Sequence, residues 1–233
     1  MAGVQYEKLL EIGPGQGVLT QFLYALHGEN LHLVEIDKDL VPGLKKKFPL
    51  IADQVHELDF LELDLGELFD EQVGIIGNFP YNISSQILFK LVDNRSRVPE
   101  LVGMFQREVA QRVISKPGNK VYGLLSAWVQ VFYECEYLFT VSEGCFNPPP
   151  KVKSGVIRLK RKENWQNIGV DAGLLLQVIK QAFGQRRKTL RNALKAFSHA
   201  YIYVEPDILD KRAETLSYQD FIDLARVFEE HGR

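Results

Sequence analysis

The sequence predicts an α/β protein: a doubly wound, mainly parallel sheet followed by a small all-helical C-terminal domain. Three observations point there. Short apolar segments alternate with helix-compatible stretches over the first part of the chain, a glycine-rich turn follows the first of those segments, and beyond Lys162 only helical patterns occur.

Taken in order, "KLLEI", "LHLVEI", "VHEL", "VGIIGN" and "LVGMF" read as strands, because each is a short apolar run of strand length. Between them "GVLTQFLYAL", "LVPGLKKKF" and "SSQILFKLV" space their apolar residues as helices do. Strands joined through helices pair in parallel. After the helical "REVAQRVIS" and "YGLLSAWVQVFY", the strands "EYLFTV" and "SGVIRLK" flank the proline loop "CFNPPPKVK" and are placed to add an antiparallel edge. Past Lys162, "DAGLLLQVIKQAF" and "KTLRNALKAF" carry helical periodicity. "LSYQDFIDLARVFEEH" opens with Ser217 and Asp220 in a capping-box spacing. A boundary near Lys162 therefore divides residues 1–162 from residues 163–233.

Composition narrows the class. With 45% hydrophobic and 25% charged residues the 233-residue chain is that of a globular protein, and no apolar run approaches the ~20 residues that cross a bilayer. The start, "MAGVQYEKLLEIG", has neither a basic leader nor an apolar signal core, so a cytoplasmic location is expected. Cys135 and Cys145 lack CxxC spacing and the five histidines are scattered, so neither a disulfide nor a metal site is expected. The net charge of −2 conceals a strong polarity: Lys151 to Lys195 holds twelve Lys and Arg against Glu163 and Asp171. Such a block can be a solvated helix face, but in an otherwise acidic chain it favours a polyanionic partner.

Ligand-type residues fall at successive strand ends. In "LLEIGPGQGVLT", Gly13, Gly15 and Gly17 occupy the turn after the first strand, where bare backbone amides and a helix N-terminus can approach a ligand; such turns also serve simply to reverse a strand tightly. Glu35 ends the second strand, about twenty residues on, where a carboxylate can accept both hydroxyls of a ribose. Asp37 reads as a helix-capping residue. Asp59 follows the third strand and is placed to meet an exocyclic amine such as that of adenine. The fourth strand stops at Asn78 in "GNFPY", where Pro80 fixes a rigid turn. The Asn78 amide oxygen, a nearby backbone carbonyl and the flat face of Tyr81 suit a planar base that bears an amino group. Two acceptors gripping that amine favour a pyramidal nitrogen aimed at a sulfonium methyl, without a strong general base.

The turn resembles the (Asp/Asn/Ser)-Pro-Pro-Tyr signature of amino-methyltransferases. With "EIGPGQGVLT", "VEID", "GNFPYNISS", "FQREVAQRV", "YGLLS", "FNPPPKVKSGVIRL" and "AFGQRRKTLRNALK" in this order, nearly the whole chain resembles the ribosomal RNA adenine dimethyltransferase family. The likeness is greatest to the members that dimethylate two adjacent adenosines near the 3′ end of small-subunit rRNA. It implies a Rossmann-like, S-adenosylmethionine-dependent methyltransferase domain, with Glu11, Gly13, Gly15, Gly17, Glu35, Asp59 and Asn78 around the cofactor. Asn78 would lie between cofactor and target amine, Pro80 would offer its carbonyl to that amine, and Tyr81 would stack on the flipped base. Phe146 resembles the family's second aromatic wall, or anchors the proline loop from the core. Family members carry an upstream segment of the FGQNFL type over the cofactor. Only twelve residues precede Gly13 here and none resemble it, so the chain reads as N-terminally truncated, with weak cofactor binding and reduced or no activity expected.

The resemblance names the polyanion as small-subunit rRNA within an immature small ribosomal subunit, met by a monomer. Arg186, Arg187, Lys188, Arg191 and Lys195 are the expected phosphate contacts, with Arg187 and Arg191 on one helix face. Two rivals stay open: the antibiotic-resistance type that methylates a large-subunit rRNA adenine, and a nonenzymatic ribosome-assembly factor.

Overall fold

The computed structural model describes residues 6–146 and 152–232, so Asn147, the three prolines and Lys151 of the proline loop lie outside the described residues. In chain order the elements are β1 (Lys8–Ile12), α1 (Thr20–His27), β2 (Leu31–Glu35), α2 (Val41–Lys47), β3 (Val55–Glu57), α3 (Leu65–Leu68), β4 (Val73–Asn78), α4 (Ser84–Asp93) and β5 (Glu100–Gln106). They continue with α5 (Arg107–Ile114), α6 (Leu124–Phe132), β6 (Tyr133–Val141), β7 (Ser154–Arg161), α7 (Ala172–Gly184), α8 (Leu190–Ala193), α9 (Pro206–Asp210) and α10 (Tyr218–Glu230). Among the described residues, no helix is long and apolar enough to cross a membrane.

Two compact units divide the chain: Met1–Ala110 with Glu134–Arg161, and Gln111–Tyr133 with Lys162–Arg233. One edge coincides with the boundary read near Lys162. The difference is the segment Gln111–Tyr133, which clusters with the C-terminal helices. The reason lies in α6, which is apolar nearly all round, buries seven of its nine residues and packs on α7 and α10.

The first unit is a seven-stranded sheet in the order β3-β2-β1-β4-β5-β7-β6. β1 pairs in parallel with β2 and β4, β2 with β3, and β4 with β5. β7 runs antiparallel to β5, which gives the expected antiparallel portion at that side. β1 and β4 are buried on both faces, as central parallel strands covered by helices are. Leu9, Leu31, Leu33 and Val55 pack beneath Leu23 of α1, Val41 and Leu44 of α2, and Phe48. Each side chain of this size contributes roughly 1.5–3 kcal/mol on burial. Because the chain leaves β1 toward β2 on one side and returns to β4 on the other, the strand order reverses between β1 and β4, the place beyond whose carboxyl ends open α/β sheets bind their ligands.

The second unit is helical. Leu175, Val178, Ile179 and Ala182 of α7 and Phe221, Ile222, Leu224, Ala225 and Phe228 of α10 form buried stripes at helical spacing. Phe183 lies 5.7 Å from Phe221, and Phe197 stacks on Phe228 at 4.6 Å. The expected capping box is present: Ser217 Oγ accepts from the Asp220 amide, and Asp220 Oδ2 accepts from the Ser217 amide. "KTLRNALKAF" departs from expectation. Only Leu190–Ala193 is α-helical, followed by a 3-10 segment (Lys195–Tyr203) with non-helical torsions at Phe197. Its start is held outside a helix, since Thr189 bridges to Arg212 and the Leu190 amide bonds to the Lys211 carbonyl.

Candidate active site

The glycine turn after β1 is shaped by left-handed torsions, with φ of +65° at Gly13, +58° at Gly15 and +75° at Gly17. Its mouth is fixed by the Gly13 amide bonding to Val34 of β2. The three glycines divide by what surrounds them. A Cβ on Gly13 or Gly15 would meet nothing within 4 Å, so both border open space, whereas one on Gly17 would lie 2.7 Å from the Phe48 ring. Gly13 and Gly15 therefore fit a close-approaching ligand, while Gly17 lets α1 pack on the core.

Glu35 is 5% exposed. Its Oε2 accepts from the Gly15 amide at 2.9 Å and its Oε1 from the Asp37 amide at 3.0 Å, which leaves acceptor capacity on both oxygens for a pair of ligand hydroxyls. Asp37 itself accepts from the Asp39 amide, so it caps the turn leading into α2 rather than α2, whose N-cap is Leu40. Glu11, on β1, is 2% exposed, and its Oε2 has no hydrogen-bond partner among the described residues. Burial pushes its carboxyl up to about 7; the Glu35 charge adds to this and the Thr20 hydroxyl opposes it. A buried acceptor in this state fits a cationic ligand.

Asp59 is half-buried two residues past β3, with Oδ1 accepting from the Leu61 amide at 2.8 Å. Its loop is pinned from α4, where Lys90 Nζ donates to the carbonyls of Leu61 (2.8 Å) and Leu63 (2.5 Å). Burial lowers the Lys90 pKa, opposed by Asp64, Asp59 and Asp93. The sequence offered no sign of this role, because its partners lie in another loop.

β4 ends level with β1, since Gly77 pairs with Ile12, so Asn78 and the glycine turn leave the sheet at the same edge. Asn78 is exposed and its carboxamide makes no hydrogen bond among the described residues. The next residue does the anchoring. Phe79 is 1% exposed, its amide bonds to Met104 of β5 and its ring lies 4.9 Å from Phe105. A Cβ on Gly103 would run into that ring, and one on Gly77 would come within 2.7 Å of the Ile12 carbonyl. Gly77 and Gly103 thus make room for the aromatic that holds Asn78 at the edge.

Pro80 departs from expectation. Its carbonyl accepts from the Ile83 amide (3.3 Å), and the Ser84 hydroxyl lies between it (3.2 Å) and the Tyr81 carbonyl (3.1 Å), so the Pro80 carbonyl is engaged within the turn. The Phe79 carbonyl, one residue nearer Asn78, has no such partner among the described residues. Tyr81 is half-buried and its hydroxyl lies 2.7 Å from Ser154 Oγ of β7. Phe146 is half-buried beyond β6.

In the helical unit the expected phosphate contacts separate. Arg186 Nε bonds to Glu214 at 2.8 Å and its Nη2 to the Lys120 carbonyl, while Arg191 pairs with Asp210 at 3.1 Å. Arg187, Lys188 and Lys195 are exposed and make no ion pair among the described residues. Arg187 and Lys188 lie in the turn between α7 and α8, so neither shares a helix face with Arg191. Among the described residues no cluster of His, Cys, Asp and Glu could hold a metal ion.

Known proteins place this arrangement. Residues 5–230 match the ribosomal RNA adenine dimethylase family. A ribosomal RNA small subunit methyltransferase A of Cytophaga hutchinsonii is 52% identical over 222 residues, covering 95% of this chain and 86% of the relative. Its counterpart in Flavobacterium johnsoniae is 47% identical over 228 residues, covering 97% and 87%. Among solved structures, a dimethyladenosine transferase from Plasmodium falciparum superposes with a TM-score of 0.82 at 27% identity, over 98% of this chain and 91% of that one. The 23S rRNA methyltransferase ErmE shares the fold, with a TM-score of 0.70 at 22% identity over 97% and 91%. A match over almost the full chain, carried by relatives near half identity, makes this protein a member of the ribosomal RNA adenine dimethylase family.

Proposed function

We infer that the chain dimethylates the N6 amines of two adjacent adenosines near the 3′ end of small-subunit rRNA, using S-adenosylmethionine. Its place is the cytoplasm, acting as a monomer on the immature small subunit. The observation that carries the reading is the free Asn78 carboxamide, held at the edge of the crevice beside the Gly13, Gly15 and Glu35 cradle.

Bound S-adenosylmethionine supplies an electrophilic methyl group on a sulfonium. The chain's residues position everything else. Glu35 accepts the ribose hydroxyls, Asp59 meets the adenine of the cofactor, and Gly13 and Gly15 admit the methionine portion past their bare Cα atoms. Glu11, ionised, faces positive charge. On the RNA side the target adenosine leaves its helix, at a cost of about a few kcal/mol, and stacking on Tyr81 returns roughly 1–3 kcal/mol. Asn78 Oδ1 and the Phe79 carbonyl accept the two amine hydrogens, with Phe79 taking the part expected of Pro80. Gripped there, the nitrogen turns its lone pair toward the methyl group, and the proton released afterwards passes to water. Arg187, Lys188 and Lys195 are the cations free for phosphate.

A mass-spectrometric map of rRNA after incubation with the protein and labelled cofactor tests the reading. Two adjacent dimethyladenosines near the 3′ end of small-subunit rRNA are expected. Label confined to large-subunit rRNA would overturn it in favour of the antibiotic-resistance type.

A further inference from the structure

Ser154 opens β7, faces Gln106 of β5 and is completely buried. A buried hydroxyl among apolar neighbours is costly unless it is hydrogen-bonded. Among the described residues the partner of Ser154 Oγ is Tyr81 Oη, 2.7 Å away and 73 residues earlier in the chain. Tyr81 itself begins a three-residue 3-10 turn (Tyr81–Ile83) directly after Pro80. Its main chain is tied at the head of α4, where the Ser84 hydroxyl lies 3.1 Å from the Tyr81 carbonyl and 3.2 Å from that of Pro80. The residue is therefore fixed at both ends: backbone to α4, phenol tip to β7. A tyrosine held only by its backbone on a surface turn would sample several side-chain rotamers.

We propose that Ser154 is a positioning residue for methyl transfer: its hydrogen bond to Tyr81 sets the angle of the ring on which the target adenine stacks. The proposal rests on the reading of Tyr81 as the stacking platform given above. Ser154 touches neither cofactor nor base and works only through Tyr81. Ring angle matters because the adenine plane determines where its N6 lone pair points, and a small misplacement at the reacting centre lowers the rate steeply. The bond also links the turn after β4 to the first residue of β7.

The test is a double-mutant cycle of Ser154→Ala and Tyr81→Phe, with methyl transfer to immature small subunits measured per cofactor-binding site. Each single variant is expected to lower kcat by roughly fivefold to tenfold, the loss of one neutral hydrogen bond, with cofactor affinity unchanged. The double variant is expected to be no slower than either single one. Phenylalanine still stacks, so a loss in Tyr81→Phe reports the tether rather than the platform. A Tyr81→Phe enzyme with full activity, or an undiminished cost of Ser154→Ala in the Tyr81→Phe background, overturns the proposal. Should Ser154→Ala fail to fold, Tyr81→Phe alone decides by the same criterion. Tyr81→Ala separates the two readings: if it keeps full activity, the platform itself is refuted; if it is slow while Tyr81→Phe is not, only the tether is.

Discussion

Glu35 Oε2 accepts the Gly15 amide at 2.9 Å, so the carboxylate that ends β2 and the glycine turn that follows β1 form one preorganised unit. The position of the carboxylate and the shape of the turn therefore depend on each other.

Glu35→Ala removes the ligand's hydroxyl acceptors together with the acceptor of the Gly15 and Asp37 amides. Hydrogen bonds to a charged group contribute about 1.5–3 kcal/mol each. A rise of at least about tenfold in the Kd for S-adenosylmethionine is expected by isothermal titration calorimetry. An unchanged Kd would place the ribose elsewhere.

Glu11 is expected to make both stability and cofactor affinity depend on pH. Its carboxyl, raised to about 7 from an ordinary 4.5, binds more proton in the folded than in the unfolded chain between those values. Stability from this group is therefore present at acidic pH and falls as pH rises from about 4.5 through 7, by roughly 3 kcal/mol in all. Glu11→Gln should flatten that part of a denaturation profile. A cationic ligand favours the ionised form, so cofactor affinity should strengthen as pH rises through 7, and binding below 7 should release a proton. Affinity flat between pH 6 and 8 would rule this out.

Gly103→Ala drives a methyl group into the Phe79 ring that anchors Asn78. Overpacking of this kind costs about 1–3 kcal/mol. A lower melting temperature is expected together with a loss of kcat larger than the loss of cofactor affinity, since Asn78 moves while Glu35 does not. Loss of stability with wild-type kcat would separate Phe79 from the chemistry.

RNA binding should divide the basic residues. Alanine at Arg187, Lys188 or Lys195 is expected to weaken binding and to reduce the dependence of log K on log salt by about 0.7–0.9 per phosphate contact. Arg186→Ala should instead lower the melting temperature, because it breaks the bonds to Glu214 and the Lys120 carbonyl. Equal salt slopes for all variants would contradict this division.

The sequence revealed most where local pattern and structure coincide. "VGIIGN" is β4 to the residue, because an apolar run needed on both faces of a central strand ends at a polar amide and a proline turn. The Ser217 capping box and the antiparallel β7 were readable for the same reason. Features built from distant partners were not. That Gly17 serves Phe48 rather than a ligand depends on a ring 31 positions later, Lys90 acts on a loop about 28 residues earlier, and Ser154 meets Tyr81 across 73. "KTLRNALKAF" misled through its period alone: apolar spacing suits a helix, yet bonds from Thr189 to Arg212 and from Leu190 to Lys211 hold its start in another conformation. Pro80 looked free to accept an amine because sequence does not show that the Ile83 amide already uses its carbonyl.

The central claim is that the Asn78 amide orients the target amine. The most direct measurement is the single-turnover rate of methyl transfer to immature small subunits by the wild-type chain and by Asn78→Ala, with the Kd for S-adenosylmethionine determined for both. A fall of about a hundredfold or more in rate, with Kd changed far less, is predicted, as for removal of one preorganised transition-state contact. Equal rates would contradict the account.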